Sequence, residues 1–131
     1  MKKILLIAVL ASGVLFADEA LKPIQMKTMQ TLESAMADIQ KGFLYNNENV
    51  VENGIKELKK NLEDISSFEI INEVDKDFNA PAYAATEATA IAKLADEILK
   101  SYKDGKKDEA LVAYSKTLSR CVVCHKIIRK W

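Results

Sequence analysis

Residues 81–102 read PAYAATEATAIAKLADEILKSY. Ala84, Ala88, Ile91, Ala95, Ile98 and Tyr102 recur at steps of four, three, four, three and four. That spacing is one face of a helix of 3.6 residues per turn. The small side chains on that face imply close approach by a neighbouring element. Asn79 precedes the run, and Pro81 suits a first helical turn, where its missing N–H is not needed. Asp104-Gly105 is a helix stop.

The same periodicity appears on either side. A segment from Pro23 to Leu44 carries Met29, Leu32, Met36, Ile39 and Phe43 on one stripe, with Met26 one turn earlier. Asn46-Asn47 interrupts it. A second segment, Glu48 to Ile65, carries Val51, Ile55, Leu58, Leu62 and Ile65. Gly54 inside it is a weak point, costing about 1 kcal/mol relative to Ala. The last segment opens at Asp108, a good N-cap residue. Its stripe is Leu111, Tyr114, Leu118, Cys121, His125 and Ile128. No period-two alternation and no βαβ pattern occurs. The reading is all-α: an antiparallel four-helix bundle with mostly short turns. Residues 66–80 hold Phe68, Ile70, Ile71, Val74 and Phe78, too apolar for a free linker. They are expected to fold over the bundle.

Composition agrees with one domain. The 131 residues are 49% hydrophobic, which excludes a disordered chain. The 19 basic and 19 acidic side chains balance, so no nucleic-acid footprint exists. The start is different in kind. Met1-Lys2-Lys3 precedes an apolar run, Ile4 to Phe16, and then the small residue Ala17. This is the layout of a secretory signal peptide over residues 1–17. The run is shorter than the roughly 20 residues that a membrane span needs. Cleavage after Ala17 leaves residues 18–131 in a bacterial periplasm, with no stable membrane span. Loss of Lys2 and Lys3 takes the basic count from 19 to 17 against 19 acidic, a net charge of −2.

Cys121-Val122-Val123-Cys124-His125 reads C-x-x-C-H, the attachment signature of a c-type haem. Two thiols three residues apart on a helix can each add to one haem vinyl group. The next residue then offers its imidazole to the iron on the same face. Other readings fit less well. A redox dithiol opens a helix after a strand, and no strand is expected here. A structural zinc needs four ligands, and the chain has two Cys and one His. A Cys121–Cys124 disulfide is strained within a helix. No other catalytic constellation occurs, so the chain does not read as an enzyme.

The single His excludes bis-His ligation within one chain, and only six residues follow it. A sixth iron ligand therefore comes from upstream, or the position is open. In an antiparallel pair, the N-terminal end of the first helix meets the C-terminal end of the last. Met26 and Met29 lie at that end. Met36 lies about 10 to 15 Å further along, at 1.5 Å per residue, and reads as core. A methionine stripe is also ordinary core filling.

These residues resemble the cytochrome c′ family, four-helix bundles with C-x-x-C-H near the C-terminus. Cys124-His125-Lys126-Ile127-Ile128-Arg129 follows the family's C-H-x-x-Y-R, with Ile128 in place of the aromatic. Residues 25–36, QMKTMQTLESAM, align without a gap to R-Q-x-x-M-x-x-L-G-x-x-M. Gln25 replaces an Arg that lies near a haem propionate in the family. Met26 replaces Gln, and Glu33 replaces Gly. The resemblance implies one covalent haem c on Cys121 and Cys124, with His125 on the iron. High-spin members keep the sixth position open and bind nitric oxide or carbon monoxide. Low-spin relatives place a first-helix Met on the iron and carry electrons. Met26 tips the expectation toward the second type, with Met26 or Met29 as ligand. Arg129 is expected beside the haem, against a propionate or on the proximal side, or else as a solvated charge favoured by the helix dipole.

The expected function is a periplasmic monohaem electron carrier with periplasmic redox proteins as partners. The alternatives are a gas-binding cytochrome c′ and a haem-free periplasmic interaction bundle. A homodimer, common in that family, is compatible with the alanine-rich third segment.

Overall fold

The computed structural model describes residues 15–70 and 77–129, with side chains described from residue 23 onward. Four helices follow in order: α1 (Leu15–Leu44), α2 (Glu48–Leu62), α3 (Ala80–Lys103) and α4 (Lys107–Arg129). A short 3-10 helix, Glu63–Ser67, continues α2. The architecture is an all-α four-helix bundle. Among the described residues no helix is long and apolar enough to cross a membrane. Residues 1–14 of the expected signal peptide lie outside the described residues.

Local chemistry sets the ends. Asn46 adopts φ 49° between α1 and α2, a conformation that Asn tolerates better than most residues. Asn47 then caps α2, its side chain accepting the Val50 N–H at 3.3 Å. Asn79 does the same for α3, accepting from Ala82 N–H at 3.0 Å, with Pro81 in the first turn. Gly105 turns the chain at φ 76°, before α4.

The stripes of α2 and α3 are buried as the spacing predicts. Val51, Ile55, Leu58, Leu62 and Ile65 meet Ala84, Ala88, Ile91, Ala95, Ile98 and Tyr102 in one core. Helices α1 and α2 pack along each other, as do α2 with α3 and α3 with α4. Between α1 and α4 no comparable backbone packing exists. They are joined at one end by aromatic rings. Phe43 of α1 stands edge-on to Tyr102 and Tyr114, with centroids 5.2 and 5.8 Å away. The Tyr114 hydroxyl also donates to the Met36 carbonyl at 3.4 Å.

Four expectations are corrected. Helix α1 starts at Leu15, ahead of Pro23. The preceding Leu, Ala, Glu and Lys residues favour helix, and that propensity carries the backbone through the proline. Asp108 lies in the first turn of α4 rather than capping it. Gly54 is more than a weak point: a Cβ there would meet Ile39 Cγ1 at 2.8 Å and the Ala35 carbonyl at 3.0 Å. Its missing side chain lets α1 and α2 touch. Finally, α4 buries Ala110, Ala113 and Thr117, while Leu111 and Leu118 are exposed. The small residues let α3 come close, and the leucines are turned out of that contact.

Candidate functional site

The end of the bundle opposite the Phe43 cluster is open between α1 and α4. A cavity of about 720 Å³ occupies it. Its walls come from the middle of α1, the end of α2, the first half of α3 and the last three turns of α4. Residues Ile65, Phe68 and Ile70 close it from below. The connection therefore folds over the bundle as expected, as far as residue 70. Phe78 packs on Tyr83 across the segment's other end, at 5.5 Å between centroids. Ile71 and Val74 lie outside the described residues.

The cavity explains a pattern of burial. On α1 the stripe is buried at Met36 and Ile39 but only half-buried at Met29 and Leu32. On α4, Leu118 is 47% and Val122 42% exposed. All of these except Ile39 line the cavity. Apolar walls of this kind, around a volume in the usual range of ligand sites, favour an apolar ligand.

Every residue singled out from the sequence lies on this wall. Cys121, Cys124, His125 and Arg129 line it from α4, and Met26 and Met29 from α1. The antiparallel arrangement thus brings residues 25–36 and 118–129 to one site. Met29 packs against the core, whereas Met26 is 64% exposed at the rim. Met36 is core, as read, and also reaches the cavity. Gln25 donates from Nε2 to the Glu69 carbonyl at 3.3 Å. That bond ties the rim of α1 to the connection.

The electrostatics of the motif follow from burial. Cys121 and Cys124 are both free thiols. Burial raises the Cys121 thiol above its usual pKa, with a smaller push from Glu87. Burial, then Glu87 and Cys121, push Cys124 up to about 11. Both are therefore neutral thiols at pH 7, unlike the activated thiolate of a redox dithiol. Burial, and then the Arg129 charge, lower the pKa of His125. Its imidazole is neutral at pH 7, with a lone pair free for a metal. Among the described residues no three His, Cys, Asp or Glu side chains converge to hold a metal ion directly. The donor set instead fits a haem: two neutral thiols and a neutral imidazole on one wall of a large apolar cavity.

Two side chains at the site were not anticipated. Glu87 lines the cavity from α3, and its carboxylate accepts from Arg120 of α4 at 2.9 Å. The pair spans 33 residues of chain, so no local spacing marks it. In the sequence, Glu87 reads as one more acid on a polar helix face.

No family model, curated protein or solved structure matches the chain.

Proposed function

We propose that the protein is a periplasmic monohaem c-type cytochrome of the cytochrome c′ type that carries single electrons. The observation that carries the reading is the placement of C-x-x-C-H on the wall of an apolar cavity whose opposite wall bears Met26 and Met29. A haem bound here supplies a one-electron ferric/ferrous couple. Cys121 and Cys124 hold it through thioether bonds, and His125 ligates the iron. Covalent anchoring keeps the imidazole at high effective concentration beside the metal. The neutral state of His125 at pH 7 removes the need to lose a proton on ligation. Leu118, Val122, Leu62, Ile65 and Phe68 line the site with apolar surface, against which a bound haem would displace water. Exclusion of water favours the less charged, reduced state and raises the reduction potential.

Met29 and Met26 supply the candidate sixth ligand, and Met/His ligation raises the potential further. Arg129, Gln25 and Gln30 stand on the wall with polar groups suited to carboxylates. The signal-peptide layout of residues 1–17 supports a periplasmic location, with periplasmic redox proteins as partners. The exposure of Met26 favours one second reading. With neither Met on the iron, the cavity between α1 and α4 becomes a site for nitric oxide or carbon monoxide.

The test is the absorption spectrum of the ferrous protein, made in a host with c-type haem maturation, before and after carbon monoxide. A low-spin spectrum little changed by the gas is expected. Met29→Ala or Met26→Ala then converts it to high spin and identifies the ligand. A high-spin wild-type spectrum that takes up the gas contradicts the carrier and establishes the gas-binding reading. A colourless protein removes both.

A further inference from the structure

An acid–base pair joins α3 to α4 at the cavity edge, and its acid lines the cavity. Glu87 stands one residue before the buried Ala88 and four before Ile91, at the cavity end of α3. Its side chain is only 13% exposed, although it is the acid of a salt bridge. Arg120 reaches it from the residue immediately before Cys121, at 2.9 Å, and is 45% exposed. The carboxylate is therefore largely withdrawn from water while its partner stays at the surface. Its charge is felt by both thiols, each of which it pushes toward the protonated form. It is felt again by Tyr83, one turn earlier on α3, where Arg120 acts with the opposite sign. Glu33 and Glu69, the other acids on the wall, are exposed and screened by solvent. Among the described residues, Glu87 is the one acid on the wall that is largely withdrawn from water.

Such a burial costs free energy unless the charge is paired, and the pair itself adds little net stability. A fold that only needed to close α3 on α4 gains more from an apolar residue here. What a fixed negative charge beside the attachment cysteines does is electrostatic. It favours the more positive, ferric state of an iron centre bound there. The guanidinium opposes it. Two charges of opposite sign, one deep and one shallow, do not cancel at the cavity wall, because the deep one is less screened.

We propose that the Glu87–Arg120 pair sets the reduction potential of the site, Glu87 lowering it and Arg120 limiting how far. The inference rests on the haem reading above and assigns that site its electrostatic control. It opposes the potential-raising effects of burial and Met ligation, so the working potential is a balance between them.

The test is a spectroelectrochemical titration of the haem-loaded protein at low ionic strength, for the wild type, Glu87→Gln, Arg120→Gln and Arg120→Lys. Intact mass is measured first on each. Glu87→Gln keeps the shape and removes the charge. At a fixed electrode potential it should raise the ferrous-to-ferric ratio about three- to tenfold, tenfold being about 59 mV for one electron. Arg120→Gln should lower the ratio, by less, because Arg120 is more exposed. Arg120→Lys keeps the charge and should stay near wild type. A merely structural pair predicts that Arg120→Lys behaves as Arg120→Gln does, or that both neutral variants move the ratio the same way. Either result, or no shift in either neutral variant, overturns the proposal. Should Glu87→Gln fail to fold, the two Arg120 variants decide the sign alone, since that side chain lies at the surface. A wild-type mass without haem overturns the underlying reading instead, and is seen before any potential is measured.

Discussion

At the scale of single residues, the site works by withholding charge. Cys121 and Cys124 are kept as thiols and His125 as a neutral imidazole by the same burial. The consequence for stability can be signed. In the haem-free chain the folded state holds His125 at a pKa below its ordinary 6.5. Above that value the imidazole is neutral in both folded and unfolded chains, and stability is unaffected. As pH falls through about 6.5, the unfolded chain takes up a proton that the folded chain resists, and stability declines. Urea midpoints of the haem-free protein should therefore drop between pH 7.5 and pH 5. His125→Gln should flatten that drop. An equal drop in both proteins would show that other groups carry it. The thiols act in the opposite window. Their raised values contribute stability below about pH 9 that is lost as pH rises toward the folded values. Cys121→Ser with Cys124→Ser should remove that alkaline decline, read from the same denaturation curves between pH 8 and pH 9.5.

The cysteines and the histidine were legible in the sequence because their chemistry depends on a local spacing. Met26 and Met29 were legible as a pair, since a helix repeat places both at one end of α1. Their unequal depth was not, because it depends on how α1 rotates against a cavity. Glu87 and Arg120 were invisible for a different reason. Each looks like a solvated charge until α3 and α4 are packed.

At the scale of elements, helices α2 and α3 follow their sequence stripes residue by residue. Their burial is decided by bulk on one face. Helix α4 departs from its stripe because two requirements compete. Contact with α3 needs Ala110, Ala113 and Thr117 inward, and the cavity takes Leu118, Val122 and Ile128. A single apolar stripe cannot describe a helix that faces both a core and a ligand wall. Contact between α1 and α2 rests on missing side chains. A Cβ at Gly42 would stand 2.5 Å from Val51 Cγ2, closer still than the one at Gly54. Helix propensity alone predicts that Gly54→Ala stabilises by about 1 kcal/mol. The close approach of Ile39 predicts overpacking that costs about 1–3 kcal/mol. A lowered thermal midpoint is expected; a raised one would mean that α1 shifts without penalty. At the closed end, the buried Tyr102 hydroxyl shares its one proton between Asn46 Oδ1 at 3.1 Å and the Gly42 carbonyl at 3.3 Å. Tyr102→Phe should cost about 1 kcal/mol, chiefly by taking the hydroxyl from Asn46 Oδ1, since the Gly42 carbonyl keeps the Asn47 N–H at 2.9 Å; denaturant unfolding reads the loss.

At the scale of the whole molecule, the bundle is closed at one end and wedged open at the other. Aromatic rings on α1, α3 and α4 hold the closed end, so α1 and α4 can part at the opposite end without loss of the fold. The short turns after α1 and α3 make each of these helix pairs antiparallel, and the bundle so formed brings residues 25–36 to face residues 118–129. The charges suit this division. After Glu109, α4 has no acidic residue, and Lys116, Arg120, Lys126 and Arg129 follow. The helix that carries C-x-x-C-H is thus the cationic side of a nearly neutral chain.

The most direct test of the haem assignment is the intact mass of the protein exported by a host with c-type haem maturation. The prediction is a chain of residues 18–131 plus one haem that survives acid denaturation and is lost in the Cys121→Ala, Cys124→Ala double variant. A mass equal to the bare polypeptide, with both thiols free to alkylate, would contradict the account and leave a helical bundle with another occupant for its cavity.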